Sequence, residues 1–196
     1  MNKFATLNDP LVIVISAPSG TGKTSVVNWL VETTLLPVSK VVTCTTRPSR
    51  ENERDGVDYI FLSEKNFRAK QKAGAFLETS KAYGYEYGTL QEEVDKVIQQ
   101  GKTPLLVVDI EGFKNIKRKR GNVIGIFLVP PSSEVLLARL RGRGTDDEAE
   151  ICVRFKEAKF ELGQKELYDI VIVVNEVEEA AQAVEQVIGP WLKEKR

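Results

Sequence analysis

The stretch LVIVISAPSGTGKT, Leu11–Thr24, decides the fold of this 196-residue chain. It opens with an unbroken apolar run, Leu11–Ile15, which is typical of a strand buried on both faces. A glycine-rich turn follows, and helical spacing then extends over Thr24–Thr34. Strand, glycine-rich turn and helix in this order predict a loop whose backbone N–H groups bind phosphate at the positive end of the helix.

The turn, APSGTGKT at Ala17–Thr24, matches the phosphate-loop pattern G-x-x-x-x-G-K-[ST] with alanine in place of the first glycine. The pattern predicts that Lys23 reaches the terminal phosphates of a nucleoside triphosphate and that the Thr24 hydroxyl is a ligand of Mg²⁺. The loop that surrounds the phosphates then consists of Ala17, Pro18, Ser19, Gly20, Thr21 and Gly22. GTPases, ATPase motors and small-molecule kinases all use such a loop, but the N-K-x-D motif of GTPases is absent from the sequence.

Further apolar runs predict more strands, and amphipathic or capped segments between them predict helices. This alternation indicates an α/β fold, a doubly wound, five-stranded parallel sheet with ligands at the carboxyl ends of its strands. The other predicted strands are Leu105–Val108, Val123–Val129, Ile170–Val174 and, more weakly, Lys40–Thr45. The other predicted helices are Gln91–Gln100, Ser132–Leu140, a helix through Ile151 and Leu162 after a capping box at Thr145–Glu148, and Val177–Ile188. The run KNIKRKR, Lys114–Arg120, is interpreted as a solvated helix face.

The amino-acid composition excludes several kinds of catalytic and metal-binding site. The sequence has no histidine, which excludes Ser-His-Asp and Cys-His catalysis and histidine-ligated zinc. Lysine plus arginine (28) equals aspartate plus glutamate (28), so no cationic excess is available for general nucleic-acid binding. The two cysteines are too few for a four-cysteine zinc site, and no apolar run approaches the roughly 20 residues that span a bilayer. We therefore expect a cytoplasmic protein without nucleic-acid or membrane partners.

Three further clusters resemble segments of the guanylate kinase family, in the order of that family. TTRPSRENERDGVDYIF (Thr45–Phe61) is similar to its monophosphate signature, FLETSKAYGYEYGT (Phe76–Thr89) to its F-[IL]-E…Y-G-[ST] segment, and RGRGTDDEAEICVRF (Arg141–Phe155) to its lid. With VVDIEG and the late VVN (Val173–Asn175), the resemblance covers nearly the whole chain. It implies a P-loop kinase that transfers a phosphoryl group from ATP to GMP, with Asn175 among the ATP-binding residues.

Four residues are candidates for holding the acceptor phosphate. The guanidinium groups of Arg47 and Arg50 can clamp one monophosphate bidentately, and the hydroxyls of Tyr59 and Tyr87 can donate to the same group. The resemblance implies that all four bind the phosphate of GMP. Val107 stands where the family commonly has the first aspartate of D-x-D, so that an acceptor near these arginines is missing.

The base is assigned to a second set of residues. One carboxylate, Glu78, can accept both donors on the Watson–Crick edge of guanine, a donor pair that adenine lacks. The family uses a glutamate at this position for that purpose, and the resemblance implies that the hydroxyls of Thr43 and Thr89 touch the base. Asp109, at the end of a strand, remains open as a base-pocket acceptor, an outer-shell Mg²⁺ ligand or a simple helix cap.

Three arginines that follow the predicted strand Val123–Val129 are candidates for catalysis. Arg139 and Arg143 share a helix face if the helix extends that far, and Arg154 follows about three turns later. Converging on the nucleotides, they would neutralise the charge of two polyphosphates. Phosphoryl transfer depends mainly on positioning and cations, which suits a chain without histidine.

The sequence thus predicts a single domain in three parts: a core (1–45, 90–138 and 162–196), a GMP-binding subdomain (46–89) and an arginine-rich lid (139–161). Closure of the last two parts would exclude water. The expected substrates are ATP and GMP, with dGMP as a further acceptor, and the oligomeric state is not predicted. Two alternatives remain open, a non-catalytic guanylate-kinase-like interaction module and a P-loop kinase for another acceptor such as a ribose phosphate. The intact Gly22-Lys23-Thr24 argues against the first, and Glu78 with Thr43 and Thr89 argues against the second.

Overall fold

The computed structural model describes residues 9–51, 53–82, 84–142 and 147–193. Within these ranges the strands are β1 (Val12–Ser16), β2 (Val38–Lys40), β3 (Cys44–Thr45), β4 (Ile60–Phe61), β5 (Phe76–Ala82), β6 (Tyr85–Leu90), β7 (Thr103–Val107), β8 (Val123–Val129) and β9 (Ile170–Val173). The α-helices are α1 (Lys23–Thr33), α2 (Glu64–Lys72), α3 (Gln91–Gln99), α4 (Ile110–Lys119), α5 (Ser133–Arg141), α6 (Glu148–Leu162) and α7 (Val177–Lys193).

The predicted α/β fold with a five-stranded parallel sheet is confirmed. The strands lie in the order β2-β7-β1-β8-β9, and every residue of β1 is buried, as its continuous apolar run predicts. The weak candidate Lys40–Thr45 was wrong in its bounds. The core strand is Val38–Lys40, which pairs in parallel with β7, whereas Cys44–Thr45 belongs to a second sheet.

The second sheet has four strands in the order β4-β3-β6-β5. β3 runs parallel to β4 and antiparallel to β6, and β5 and β6 form an antiparallel pair. A small core of its own stabilises this sheet, with Phe67 of α2 stacked on Phe76 at 4.6 Å between ring centroids. Burial of two such aromatic side chains contributes several kcal/mol, on the order of 2–3 kcal/mol each. Strands β4 and β5 and most of β6 lie within the predicted subdomain 46–89, whereas β3 precedes it. Residues 46–89 belong to the same compact unit as the core strands β2 and β7, and their assignment as a separate subdomain stays a prediction.

The chain divides into two compact units. One unit contains Val38–Val123 and the described residues up to Val14, and it carries the four-stranded sheet, α3 and α4. The other contains Ile15–Pro37 and the described residues from Ile124 onward. In this second unit α1 packs against α7, and the buried residues Leu136, Leu140, Ile151 and Ala158 join α5 to α6.

One local prediction in the second unit was wrong. The capping box lies at Asp147–Glu150 rather than at Thr145–Glu148, since the Asp147 side chain accepts from the N–H of Glu150 (2.8 Å) and α6 begins at Glu148. In addition, α5 ends at Arg141 with Gly142 as its C-cap, so it does not extend to Arg143. Among the described helices, none is long and apolar enough to cross a membrane.

Candidate active site

The phosphate loop leads from β1 into α1. Gly20 and Gly22 both have positive φ, 90° and 100°, a conformation that favours glycine, and Gly22 is the N-cap of α1. A side chain at Gly20 would also lie 2.9 Å from a methyl group of Leu140, so this glycine lets the loop pack closely on α5. The first N–H groups of α1 thus have no capping side chain, which leaves them available for an anion.

Arg139 holds this loop from α5. Its guanidinium donates to the carbonyl of Thr21 at 3.1 Å, to that of Val174 at 3.2 Å and to that of Asn175 at 2.9 Å. The side chain therefore ties the loop to the residues that follow β9. In this structure its charge acts on main-chain carbonyls, and its predicted contact with phosphate remains a prediction.

The structure gives fewer contacts for the other residues that were predicted to bind ATP or to act in catalysis. Asn175 accepts the bond from Arg139 through its carbonyl, directly after β9. Arg154 lies on α6 and is half-buried, whereas Arg143 lies outside the described residues. Because α5 ends at Arg141, the condition under which Arg139 and Arg143 were predicted to share one helix face is not met.

Thr24 fits the predicted magnesium ligand. It is exposed in the first turn of α1, beside the loop that is predicted to hold the phosphates. No group of three or more acidic, cysteine or histidine side chains that could hold a metal occurs in the described ranges. Mg²⁺ in kinase sites takes one or two protein ligands together with substrate phosphates and water, so one hydroxyl is a fitting donor.

Arg47, in the unit that contains Val38–Val123, forms an ion pair with Glu53. Both oxygens of Glu53 accept from its Nη2, at 2.7 and 2.9 Å, and its Nη1 donates to the carbonyl of Pro48. Burial opposes both charges, but the pair outweighs it: the pKa of Arg47 is raised and that of Glu53 is lowered. Glu53 thus supplies the acceptor for Arg47 that Val107 cannot provide.

Glu53 also organises the rest of the loop that carries the two arginines. Its Oε2 accepts from the N–H of Arg50 at 2.9 Å, while the Thr45 hydroxyl accepts from the N–H of Arg47 at 3.1 Å. The exposed guanidinium of Arg50 and the half-buried one of Arg47 are therefore three residues apart on one ordered turn. This is the arrangement that a bidentate phosphate clamp needs.

Two tyrosines, Tyr59 and Tyr87, lie near Arg47, and their predicted role as donors to the acceptor phosphate stays a prediction. The Arg47 guanidinium is 5.5 Å from the ring centroid of Tyr59, whose ring meets that of Tyr87 edge-on at 6.2 Å. Tyr87 also contributes to the raised pKa of Arg47. Burial raises the pKa of Tyr59, so its hydroxyl stays protonated and remains a donor.

Glu78 and Thr89 face each other across β5 and β6. They are direct partners in the register of this antiparallel pair, and the Thr89 hydroxyl donates to Oε1 of Glu78 at 2.7 Å. Glu78 is only 2% exposed, and its Oε2 has no hydrogen-bond partner among the described residues. A buried carboxylate oxygen without a donor costs free energy, on the order of 1–3 kcal/mol or more, unless a ligand supplies one.

The charge on Glu78 is poised near neutral pH. Burial raises its pKa to about 7; the Thr89 hydrogen bond and the Lys119 charge oppose this, and the Asp109 carboxylate adds to it. Perturbed carboxylates of this kind are frequent at binding sites. Thr43 is also buried, directly before β3, and among the described residues no side-chain hydrogen bond joins it to Glu78.

Asp109 is a helix cap in this structure. Its Oδ1 accepts from the N–H of Gly112 at 2.7 Å, and α4 begins directly after it. Of the three interpretations left open by the sequence, this one is observed directly. A further role toward substrate or Mg²⁺ remains a prediction.

Four residues of functional interest were missed or misread from the sequence. Glu53 stood in the monophosphate signature without a role, and Gly112 was only part of VVDIEG. Asn115 and Lys119 were assigned to a solvated helix face, yet Asn115 donates to the carbonyl of Thr79 at 3.1 Å and Lys119 to that of Leu77 at 2.5 Å. That assignment was therefore wrong for the partly buried Asn115, whereas Lys119 is exposed as predicted but also bonds to β5.

The glycine-rich loop between β1 and α1, with Lys23 and Thr24 at the start of the helix, defines a P-loop nucleotide-binding protein. Comparison with known proteins makes the class specific. A protein-family model described as guanylate kinase matches residues 10–190. The guanylate kinase of Thermotoga maritima is 38% identical over 177 residues (90% of this chain and 85% of that protein), and the one of Chlorobium chlorochromatii is 40% identical over 178 residues (90% and 93%).

A solved structure agrees with the sequence comparisons. The crystal structure of guanylate kinase from Anaplasma phagocytophilum matches with a TM-score of 0.76 and 31% identity, over 93% of this chain and 86% of that one. The chain belongs to the guanylate kinase family. The predicted family, the P-loop kinase fold and the guanylate kinase class of enzyme are thereby confirmed.

Proposed function

We propose that this enzyme transfers the terminal phosphoryl group of Mg²⁺-bound ATP to GMP, giving ADP and GDP, and that the residues predicted from the sequence form its two nucleotide sites. The observation that carries the base assignment is Glu78, buried and bonded to Thr89, with its second carboxylate oxygen unpartnered among the described residues. Guanine presents two adjacent donors, N1–H and N2–H, that fit such an acceptor. Adenine presents no such pair.

On the donor side, the loop Ala17–Gly22 would surround the phosphates of ATP, with Lys23 on the terminal phosphates and Asn175 near the nucleotide. Thr24 would hold Mg²⁺, which when bound neutralises charge on the transferred group. Arg139 keeps the loop in shape through its carbonyl bonds, so its proposed contribution to catalysis passes through that loop. Arg143 and Arg154 remain the candidates for direct contact with the transferred phosphoryl.

On the acceptor side, Arg47 and Arg50 would bind the GMP phosphate, with Tyr59 and Tyr87 as hydroxyl donors. The Glu53 ion pair fixes Arg47 before substrate binds, which lowers the entropy lost on binding. Thr43 and Thr89 would line the base together with Glu78. Asp109 would contribute by capping α4, since its carboxylate accepts from the N–H of Gly112. No general base is needed, because the loose transition state is stabilised by cations and orientation.

A coupled assay with GMP, dGMP, AMP, UMP and a ribose phosphate as acceptors tests the proposal. ATP consumption with GMP, and with dGMP if the sugar is tolerated, is the expected result. Consumption with a ribose phosphate but not with GMP would support the alternative kinase, and nucleotide binding without turnover would support the interaction module. A chelator of divalent cations should stop the reaction, and added Mg²⁺ should restore it.

Arg47→Ala and Arg50→Ala should each raise the KM for GMP by roughly 10- to 150-fold, since a lost charge-assisted hydrogen bond costs about 1.5–3 kcal/mol. The KM for ATP should change little. Initial rates at varied GMP and at varied ATP measure both constants. Arg68→Ala, which removes an exposed arginine that pairs with Glu64 on α2, is the matched control. An unchanged KM for GMP in both variants would place these arginines outside the site.

Acid should weaken the recognition of guanine. Glu78 is ionised above its pKa of about 7 and protonated below it, and the protonated form cannot accept both guanine donors. The ratio of kcat/KM for GMP to that for AMP should therefore fall as the pH drops below about 7. The ratio is the correct measurement, because the phosphates of both acceptors titrate near pH 6 and cancel. A ratio that stays constant from about pH 8.5 to about pH 5.5 would contradict the assignment of Glu78.

A further inference from the structure

Helix α4 lies along β5, the edge strand of the four-stranded sheet. The outer side of an edge strand has carbonyls that no neighbouring strand can satisfy. Asn115 donates to the carbonyl of Thr79 at 3.1 Å, and Lys119 donates to that of Leu77 at 2.5 Å. These two carbonyls belong to the residues on either side of Glu78, so α4 holds the main chain of the base-reading residue from both sides.

Gly112 lies one turn earlier on the same helix face. A Cβ atom added at Gly112 would lie 2.8 Å from Oε2 of Glu78 and 3.1 Å from Cβ of Val108. Oε2 is the carboxylate oxygen without a partner among the described residues. Because Gly112 has no side chain, Oε2 of Glu78 has room at this position. The Thr89 hydroxyl donates to the other oxygen, Oε1.

We propose that one face of α4, formed by Gly112, Asn115 and Lys119, positions the Glu78 carboxylate and so determines the preference of the enzyme for guanine. The inference rests on the proposed role of Glu78 in reading the base. Residues 112, 115 and 119 fall at helical spacing on one face. They are positioning residues, because they act on the base through Glu78.

Four contacts act together on the Glu78 carboxylate. To accept hydrogen bonds from both guanine donors, the two carboxylate oxygens must lie in the plane of the base at hydrogen-bond distance. A shift of a few tenths of an ångström weakens both hydrogen bonds. The bonds of Asn115 and Lys119 fix the main chain, Thr89 fixes the carboxylate rotation, and Gly112 leaves space for Oε2.

Gly112→Ala is the sharpest test. Alanine favours a helix more than glycine does, and φ at Gly112 is not positive, so a merely structural role predicts an unchanged or higher Tm and unchanged kinetics. The atom nearest to the new methyl group is the end of a flexible side chain, the Glu78 carboxylate, which must move. We expect the KM for GMP to rise about tenfold, with kcat and the KM for ATP nearly unchanged and the GMP-to-AMP preference reduced.

Lys119→Met and Asn115→Leu test the other two contacts. Each should raise the KM for GMP by about two- to tenfold without changing the KM for ATP. Lys119→Arg keeps a charged donor and should restore most of the preference. Lys114→Met removes the same charge from an exposed position of α4 and is the matched control. Assays at about pH 8.5, where Glu78 is ionised, separate positioning from the charge of Lys119.

The outcomes are distinguishable. An unchanged GMP-to-AMP preference in Gly112→Ala, whatever its Tm, or an equal effect of Lys114→Met and Lys119→Met, would overturn the inference. If Glu78→Gln changes the preference and the three α4 variants do not, only the inference fails. If Glu78→Gln itself leaves the preference intact, the proposed reading of guanine fails as well. If Asn115→Leu does not fold, Gly112→Ala and the Lys119 pair still decide.

Discussion

Lys23→Ala should reduce kcat by at least about 10²-fold, because the lost ammonium group acts on charge that is present only when the triphosphate is bound. Removal of one electrostatic contact to a transition state costs on the order of 10²–10³ in kcat, or about 2.7–4 kcal/mol. Lys23 is the first residue of α1, directly after the N-cap Gly22, so the expected position of its charge is beside the phosphates. The coupled assay with saturating GMP measures the loss.

The fold should persist in this variant. Alanine is a good helix former at the start of α1, and the buried side chains of that helix, Val26, Val27 and Leu30, are unchanged. Binding of GMP, measured by titration without ATP, should also be unchanged, since Arg47, Glu53 and Glu78 belong to the other compact unit. Lys65→Ala, at an exposed position of α2, is the control for loss of one lysine. Wild-type turnover by Lys23→Ala would remove the argument from the phosphate loop.

The donor half of the site could be predicted because its chemistry is local. One contiguous segment supplies the buried strand β1, the two glycines with positive φ and the start of α1, so fixed offsets in sequence become fixed positions in space. The structure reproduces the strand, the turn and the helix within one residue of their predicted bounds. A local pattern can fail where two of them overlap. Thr145–Glu148 and Asp147–Glu150 both have the spacing of a capping box, and Asp147 is the cap that forms.

The acceptor half depends on contacts between distant residues, which a sequence pattern does not contain. Glu78 and Thr89 become partners only through the register of β5 and β6, which shifts at an irregularity between Phe76 and Glu78. The ion pair of Arg47 with Glu53 requires the turn between them to fold back. Polar residues on a charged helix face resemble solvated ones, which is why the bonds of Asn115 and Lys119 to β5 were missed.

Glu78→Gln should lower activity and raise stability at the same time. Glutamine keeps the size of the side chain but replaces one acceptor oxygen with an NH₂ donor, so that guanine meets a donor where it needs an acceptor. An unpaired polar group in a buried pocket costs about 1–3 kcal/mol, and more where a charge is lost. We expect kcat/KM for GMP to fall at least about tenfold, with a nearly unchanged KM for ATP and improved use of AMP relative to GMP.

The effect on stability has the opposite sign. Burial raises the pKa of Glu78 from 4.5 to about 7, so the folded state binds this proton more tightly than the unfolded state does. The stability that the protonated carboxyl contributes is present below about pH 4.5 and is lost as the pH rises to about 7. Above that pH the ionised, buried carboxylate destabilises the fold by up to about 3 kcal/mol, and glutamine removes this penalty. Chemical denaturation of both proteins at about pH 8 should therefore show the variant to be more stable, and at about pH 5 the difference should shrink.

These opposite signs separate a functional carboxylate from a structural one. A side chain that served the fold alone would lose stability together with activity when changed. Glu111→Gln, at an exposed position of α4, changes the same chemical group and should alter neither the GMP-to-AMP preference nor the pH dependence of unfolding. If Glu78→Gln keeps the preference for GMP, Glu78 does not read the base. The specificity would then have to come from Thr43, Thr89 or Asp109. The oxygen of Glu78 that has no partner among the described residues would then destabilise the fold without serving substrate binding.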